Sequence, residues 1–183
     1  MKATGIVRRI DDLGRVVIPK EIRRTMRIRE GDPLEIYTDR EGEVIFKKYS
    51  PVGELSSFAS QYADTLHKTC GLAVLISDRD AVIATAGVSR KEYGDKRLSP
   101  ELEAIIEKRS LYVYKEGEEQ IPVTTDSLSH AVSVAMPILS EGDLVGCVLS
   151  VLPREGEKAN LENDIETKLI QTAAGFLGRQ LEG

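Results

Sequence analysis

At 183 residues the chain has room for one ordinary domain or two small ones. The formal net charge of −5 hides an asymmetry, because residues 1–50 carry 12 Lys+Arg against 9 Asp+Glu while residues 51–183 carry 13 against 21. A basic head on an acidic body leaves a polyanionic partner open, since exposed charge is felt over roughly a Debye length of 8–10 Å, whereas the cysteine and histidine spacing (Cys70, Cys147, His67, His130) excludes a zinc site or a disulfide scaffold.

In chain order, the start MKATGIVRRI lacks an apolar core of signal-peptide length, and no apolar run is long enough to span a bilayer, so a cytoplasmic protein with no membrane partner is expected. Thr4 to Ile10 reads as a strand, Asp11 to Gly14 as a turn, and Arg15 to Ile18 as a second strand. Pro19 stands where a first helical turn tolerates a missing N–H, so strand passes directly into a short helix. There Ile22 and Met26 are spaced to pack, and Lys20, Arg23, Arg24 and Arg27 are spaced to share the opposite side. From Met1 to Arg29 nine basic residues face three acidic ones. Beyond the break Arg29-Glu30-Gly31-Asp32-Pro33, Leu34, Ile36 and Thr38 alternate with polar positions as in a half-buried strand, and Val44-Ile45-Phe46 returns it as a hairpin. Four strands and a short helix in about 50 residues cannot bury a sufficient core alone. Dimerisation is expected on that ground.

The phrase GRVVIPKEIRR, Gly14 to Arg24, resembles the DNA-binding domain of the AbrB-type transition-state regulators across residues 1–50. The resemblance implies an all-β swapped-hairpin barrel, an intertwined dimer of two chains, that binds double-stranded DNA. It also implies DNA contact by Arg8, Arg15, Arg23 and Arg24, whose guanidinium forks suit phosphate and the guanine edge. Arg9, Lys20 and Arg27 are expected to meet phosphate or to steer approach.

The rest, residues 51–183, reads as an α+β domain with an antiparallel sheet and flanking helices. Ser50-Pro51 caps a linker helix over 51–70 with an apolar stripe at Leu55, Phe58, Ala59, Tyr62, Leu66 and Thr69, ended by Gly71. Leu72 to Ile76 and Ala81 to Ala86 read as strands, Gly87 to Leu98 as a polar loop, and Ser99-Pro100 to Lys108 as a second capped helix. Leu111 to Lys115 is a short strand and Glu116 to Asp126 an acidic loop. His130 to Leu139 and Leu144 to Leu152 are long strands, and a last helix runs from about Asn160 to Gln180 with Leu161, Ile165, Leu169, Ala173, Phe176 and Leu177 on one side.

That order, with the phrase VSVAMPILSEGDLVGCVLSV, resembles a GAF domain, a small-molecule sensor module. It implies a ligand pocket lined from the strands and the two loops, with Tyr93, Tyr112 and Ser133 as conceivable members; the effector is open and no cofactor is indicated. Cys70 and Cys147 read as small buried thiols, and neither His67 nor His130 has a nucleophile or carboxylate at catalytic spacing. No enzyme is expected. The combined expectation is a cytoplasmic DNA-binding transcription regulator, activator or repressor. Its heads pair as dimers, and its two long helices close a tetramer through Leu55, Phe58, Tyr62, Leu66, Leu161, Ile165, Leu169 and Phe176. The rivals are an antitoxin sharing the head fold and a GAF-type redox enzyme that works through the cysteines.

Overall fold

The computed structural model describes residues 5–127, 129–153 and 161–182. Thr4, where the first strand is expected to begin, and Asn160, where the last helix is, lie outside the described residues. The chain divides into two compact units, Met1–Tyr49 and Ser50–Gly183.

In the first unit, helix α1 (Lys20–Met26) is followed by strands β1 (Leu34–Thr38) and β2 (Val44–Lys48), which form an antiparallel hairpin with Ile36 opposite Phe46. Pro19 is the buried N-cap of α1 rather than its first helical residue. The helix stops at Arg27, whose left-handed φ of 53° lets its N–H and that of Ile28 reach the carbonyls of Arg24 and Arg23.

Three expectations for this unit fail together. The segments 5–10 and 15–18 form no ladder with any described part of the chain. Met26, expected to pack beside Ile22, is 57 % exposed, and Ile36, expected on a buried strand face, is 61 % exposed. The physical cause is common to all three: a strand needs a hydrogen-bonded neighbour and an apolar face needs something to cover it, and one copy of this unit supplies neither. Ile6, Val7, Ile10, Leu13, Val16, Val17, Val44 and Phe46 are exposed as well.

The second unit has its own core. Helices α2 (Pro51–Glu54) and α3 (Ser56–Cys70) replace the single linker helix expected over 51–70, with the break at Leu55. Gly53, a poor helix former, precedes the break. The Ser50 cap is present: its Oγ accepts from the Gly53 N–H at 3.1 Å and donates to Asp78 Oδ2 at 3.0 Å. Strands β3 (Val74–Asp78) and β4 (Val82–Ala86) lead to short α4 (Arg90–Tyr93), inside the expected polar loop, and to α5 (Pro100–Glu107). At the start of α5, Ser99 Oγ accepts from Leu102 N–H at 3.1 Å and donates to the Pro122 carbonyl at 2.6 Å. Strands β5 (Tyr112–Val113), β6 (Val132–Ser140) and β7 (Asp143–Val151) and helix α6 (Asn163–Gln180) complete the unit.

The five strands order β4-β3-β7-β6-β5, every pair antiparallel. Both sheet faces are covered, which is why β3 and β7 are buried almost without alternation. On one face α3 (Ala59, Ala63, Leu66) and α6 (Ile170, Ala173, Ala174, Leu177) lie over Val74, Ile76, Val134, Ile138 and Val148. Burying a side chain such as Ile170 or Leu177 stabilises by about 1.5–3 kcal/mol. On the other face Tyr93 of α4 and Leu102 and Ile106 of α5 lie over Leu75, Ala135, Cys147 and Leu149. Among the described residues, no helix is long and apolar enough to cross a membrane.

Candidate nucleic-acid interface

The basic residues of the first unit are carried by two local structures. The first is the turn Asp11–Arg15. The Asp11 carboxylate accepts from the backbone N–H of Leu13 at 3.0 Å and of Arg15 at 2.7 Å, and from the Arg15 guanidinium Nε at 2.7 Å, while Asp11 N–H donates to the Arg15 carbonyl. The Arg15 N–H, then its side chain, hold the Asp11 carboxyl below its ordinary range. The sign of the linkage follows: this turn is favoured above the ordinary aspartate pKa and loosens as pH falls toward the lowered one. The turn presents Arg15 with its side chain largely exposed. Arg8 and Arg9, just before it, are exposed too.

The second structure is α1. A 3.6-residue period puts Lys20, Arg23, Arg24 and Arg27 at i, i+3, i+4 and i+7, one stripe along seven residues and the next position. Lys20, Arg23 and Arg24 are exposed, and Arg27 is half-buried at the helix end. Within the described chain no ion pair ties down Arg8, Lys20, Arg23 or Arg24. Such cations offer donors to phosphate without first having to break a protein contact. The β hairpin adds Lys47, stacked 4.4 Å from the Tyr37 ring, and Lys48, whose Nζ donates to the Arg27 carbonyl at 2.9 Å and thereby holds the end of α1 to β2.

The sites expected in the second unit fare differently. Cys147 is fully buried in β7, and burial pushes its thiol pKa up, so the thiolate that redox chemistry needs is suppressed. Cys70 is half-buried at the end of α3. His130, expected to have no carboxylate or nucleophile at catalytic spacing, has a phenol partner the sequence did not signal: its Nδ1 lies 2.8 Å from the Tyr93 hydroxyl, 37 positions away, with the rings edge to face. Ser127 Oγ donates to Glu92 and lies 3.2 Å from the same phenol. The Ser127 and Ser129 hydrogen bonds lower the Glu92 carboxyl pKa. This cluster joins α4 to the segment around 127–130; its serine is bonded to the carboxylate and the phenol, so it does not form the serine–imidazole pair of a hydrolase. Of the conceivable pocket members, Tyr93 and Ser133 are buried and Tyr112 is half-buried.

The expected assembly residues divide. Leu66 is 8 % exposed and belongs to the core. Phe58 and Tyr62 of α3 are half-buried against Phe176 of α6, with ring centroids 5.9 and 5.5 Å away, so the two helices lie side by side. Phe176 remains 40 % and Ile165 46 % exposed, while Leu55, Leu161 and Leu169 are half-buried.

Residues 54–182 match the family model "Stage V sporulation protein T C-terminal, transcription factor", and residues 7–53 match "Antidote-toxin recognition MazE, bacterial antitoxin". The chain is 51 % identical over 183 residues to stage V sporulation protein T of Bacillus subtilis, covering all of this chain and 99 % of that one. It is 65 % identical over 51 residues to the transition state regulatory protein AbrB of the same organism, covering 28 % of this chain and 52 % of that one. The GAF domain from an Acinetobacter phosphoenolpyruvate-protein phosphotransferase superposes on 69 % of this chain and 81 % of its own with a TM-score of 0.52 at 9 % identity, a likeness of fold alone. With a family model matched over residues 54–182 and 51 % identity over its full length, the chain belongs to the stage V sporulation protein T family.

Proposed function

We propose that this protein is a sequence-specific DNA-binding transcription regulator of sporulation genes, working in the cytoplasm, with a head made by two copies of residues 1–50. One observation carries the reading. The same small unit exposes a set of large apolar side chains that a second copy can cover, and with them Arg8, Lys20, Arg23 and Arg24, which no ion pair with a described residue ties down. Pairing two copies gives the segments 5–10 and 15–18 the neighbours they lack and doubles the basic residues on one body. The relatives, a transition state regulatory protein over the head and a stage V sporulation protein over the whole chain, support the same conclusion. The antitoxin reading is weaker because residues 50–183 fold into a second core, and the redox-enzyme reading is weaker because Cys147 is sealed among apolar side chains.

Within this reading Arg8, Arg15, Arg23 and Arg24 touch DNA, and Lys20 and Arg27 hold phosphate. The second unit senses a small molecule and assembles the heads, α3 and α6 of two copies closing a four-helix bundle and so a tetramer. The direct test is substitution on α1. Arg23→Ala and Arg24→Ala each remove an exposed guanidinium, so the fold stays intact by circular dichroism. Affinity for duplexes selected from a random-sequence pool falls by about 1–3 kcal/mol where the side chain reads a base, or by less and evenly across sequences where it meets phosphate. Unchanged affinity in both variants would remove α1 from the interface.

A further inference from the structure

We propose that a cavity of about 250 Å³ at the edge of the second unit's sheet binds a free diamino acid such as lysine. The proposal deepens the reading of this unit as a sensor. It can be tested without DNA, so its failure leaves the DNA-binding reading standing, and the reverse.

The cavity lies against β4, the end strand of the sheet, and is walled by Ser60 and Asp64 of α3 and by Arg90, Gly94 and Asp95 in and just after α4, with Ile83 of β4 among its lining. Its position follows from how the edge is closed. Val82 N–H donates to the Lys96 carbonyl and Asp95 N–H to the Val82 carbonyl, both at 2.9 Å, so the returning loop seals the strand only at its start. Further along, the same loop stands off and the cavity opens. A Cβ at Gly94 would lie 2.7 Å from the Arg90 carbonyl oxygen, so this stretch of wall has to be side-chain-free. The wall is also fixed from behind, where Glu92 and Tyr93 bond to Ser127 and His130. A wall held in this way loses little freedom when a ligand arrives.

The charges define the ligand. Two carboxylates, Asp64 and Asp95, and one guanidinium, Arg90, line the same small space from solvent-exposed positions, and none of them is in an ion pair with a described residue. Opposite charges that share a cavity without closing on one another leave room for a molecule that bridges them. The complement of the set is one carboxylate and two cationic groups. The cavity of about 250 Å³ compares with roughly 150 Å³ for a cavity that holds benzene, so it suits a molecule of about ten heavy atoms. A diamino acid meets both conditions: its carboxylate lies on Arg90, its two ammonium groups on Asp64 and Asp95, and its methylene arm on Ile83. A diamine would leave Arg90 unanswered, and a dicarboxylate would face two like charges.

Calorimetry on the full-length protein tests this with L-lysine, L-norleucine and cadaverine as probes. L-lysine is expected to bind saturably at one site per chain, and norleucine, lacking the side-chain ammonium, about tenfold more weakly. Arg90→Gln is expected to weaken lysine about tenfold and leave cadaverine unchanged, whereas Asp64→Asn weakens both. Absence of saturable heat with L-lysine up to about ten millimolar would overturn the proposal. So would norleucine or cadaverine binding as tightly as lysine to the unsubstituted chain, a comparison that depends on no variant folding, or lysine affinity unmoved by both substitutions.

Discussion

Raising the salt from about 50 to about 200 mM is expected to weaken DNA binding by on the order of 10³ to 10⁴. The size of the effect comes from the number of cations the head exposes. Each copy offers Arg8, Arg15, Arg23 and Arg24, all exposed, and a pair of copies offers twice that set. If six to eight of them neutralise phosphates, log affinity falls with log salt at a slope of about 0.9 per phosphate, or roughly 5–7 in all. Arg15 differs from the others in having to release or share its bond to Asp11. That exposed ion pair is worth little in solution, so the turn positions Arg15 at small cost to its availability. A fluorescence titration across a salt series reads the slope directly. A slope below about two would mean that these arginines do not meet the backbone.

The second large effect concerns assembly. Ile165→Lys together with Phe176→Lys is expected to convert tetramers to dimers that still bind DNA, with the avidity of linked head pairs, typically 10²- to 10⁴-fold, removed. These two positions are chosen by the structure over the Leu66 that periodicity alone suggests. Leu66 faces Val74 and the neighbouring core, so a lysine there would bury an unpaired charge and unfold the unit. Ile165 and Phe176 instead keep about half their surface after α3 and α6 have covered the sheet. Ile165→Lys alone separates the two roles of the surface, since Phe176 also stacks on Tyr62 within its own chain. Light scattering gives the mass of each variant; a tetramer surviving both substitutions would place the contact elsewhere.

The second unit was more legible in the sequence than the first, and the reason is physical. Ser50 and Ser99, each followed by proline, signalled helix starts, and both hydroxyls accept the expected N–H bonds because capping is a local interaction. The turn between β6 and β7 and the glycine inside β7 were visible for a similar reason. A Cβ at Gly146 would press on the Ser77 carbonyl of β3, so the residue identity records the closeness of the next strand. The break at Leu55, the short helix α4 and the bond between Tyr93 and His130 were not legible. The last of these depends on a contact between distant segments, and the 37 positions between Tyr93 and His130 leave no trace in any local pattern.

In the head the alternation of Leu34, Ile36 and Thr38 predicted a buried face, yet the single chain leaves it in water. The pattern is still a statement about burial, and in the proposed pairing the surface it describes is shared by two chains. The same holds for Ile6, Ile10 and Val17, which are patterned as strand residues and find no ladder. For the proposed interface, spacing put Lys20, Arg23, Arg24 and Arg27 on one side of the helix, and the family resemblance pointed to Arg8, Arg15, Arg23 and Arg24. The turn bonds that seat Arg15, and the left-handed Arg27 that ends α1, emerged only from the structure.

In the proposed arrangement the head is complete only when two copies share one core. Sedimentation equilibrium on residues 1–50 alone, paired with circular dichroism, tests this. A folded dimer that retains weak, salt-sensitive DNA binding is expected; a folded monomer of the same segment would contradict the pairing.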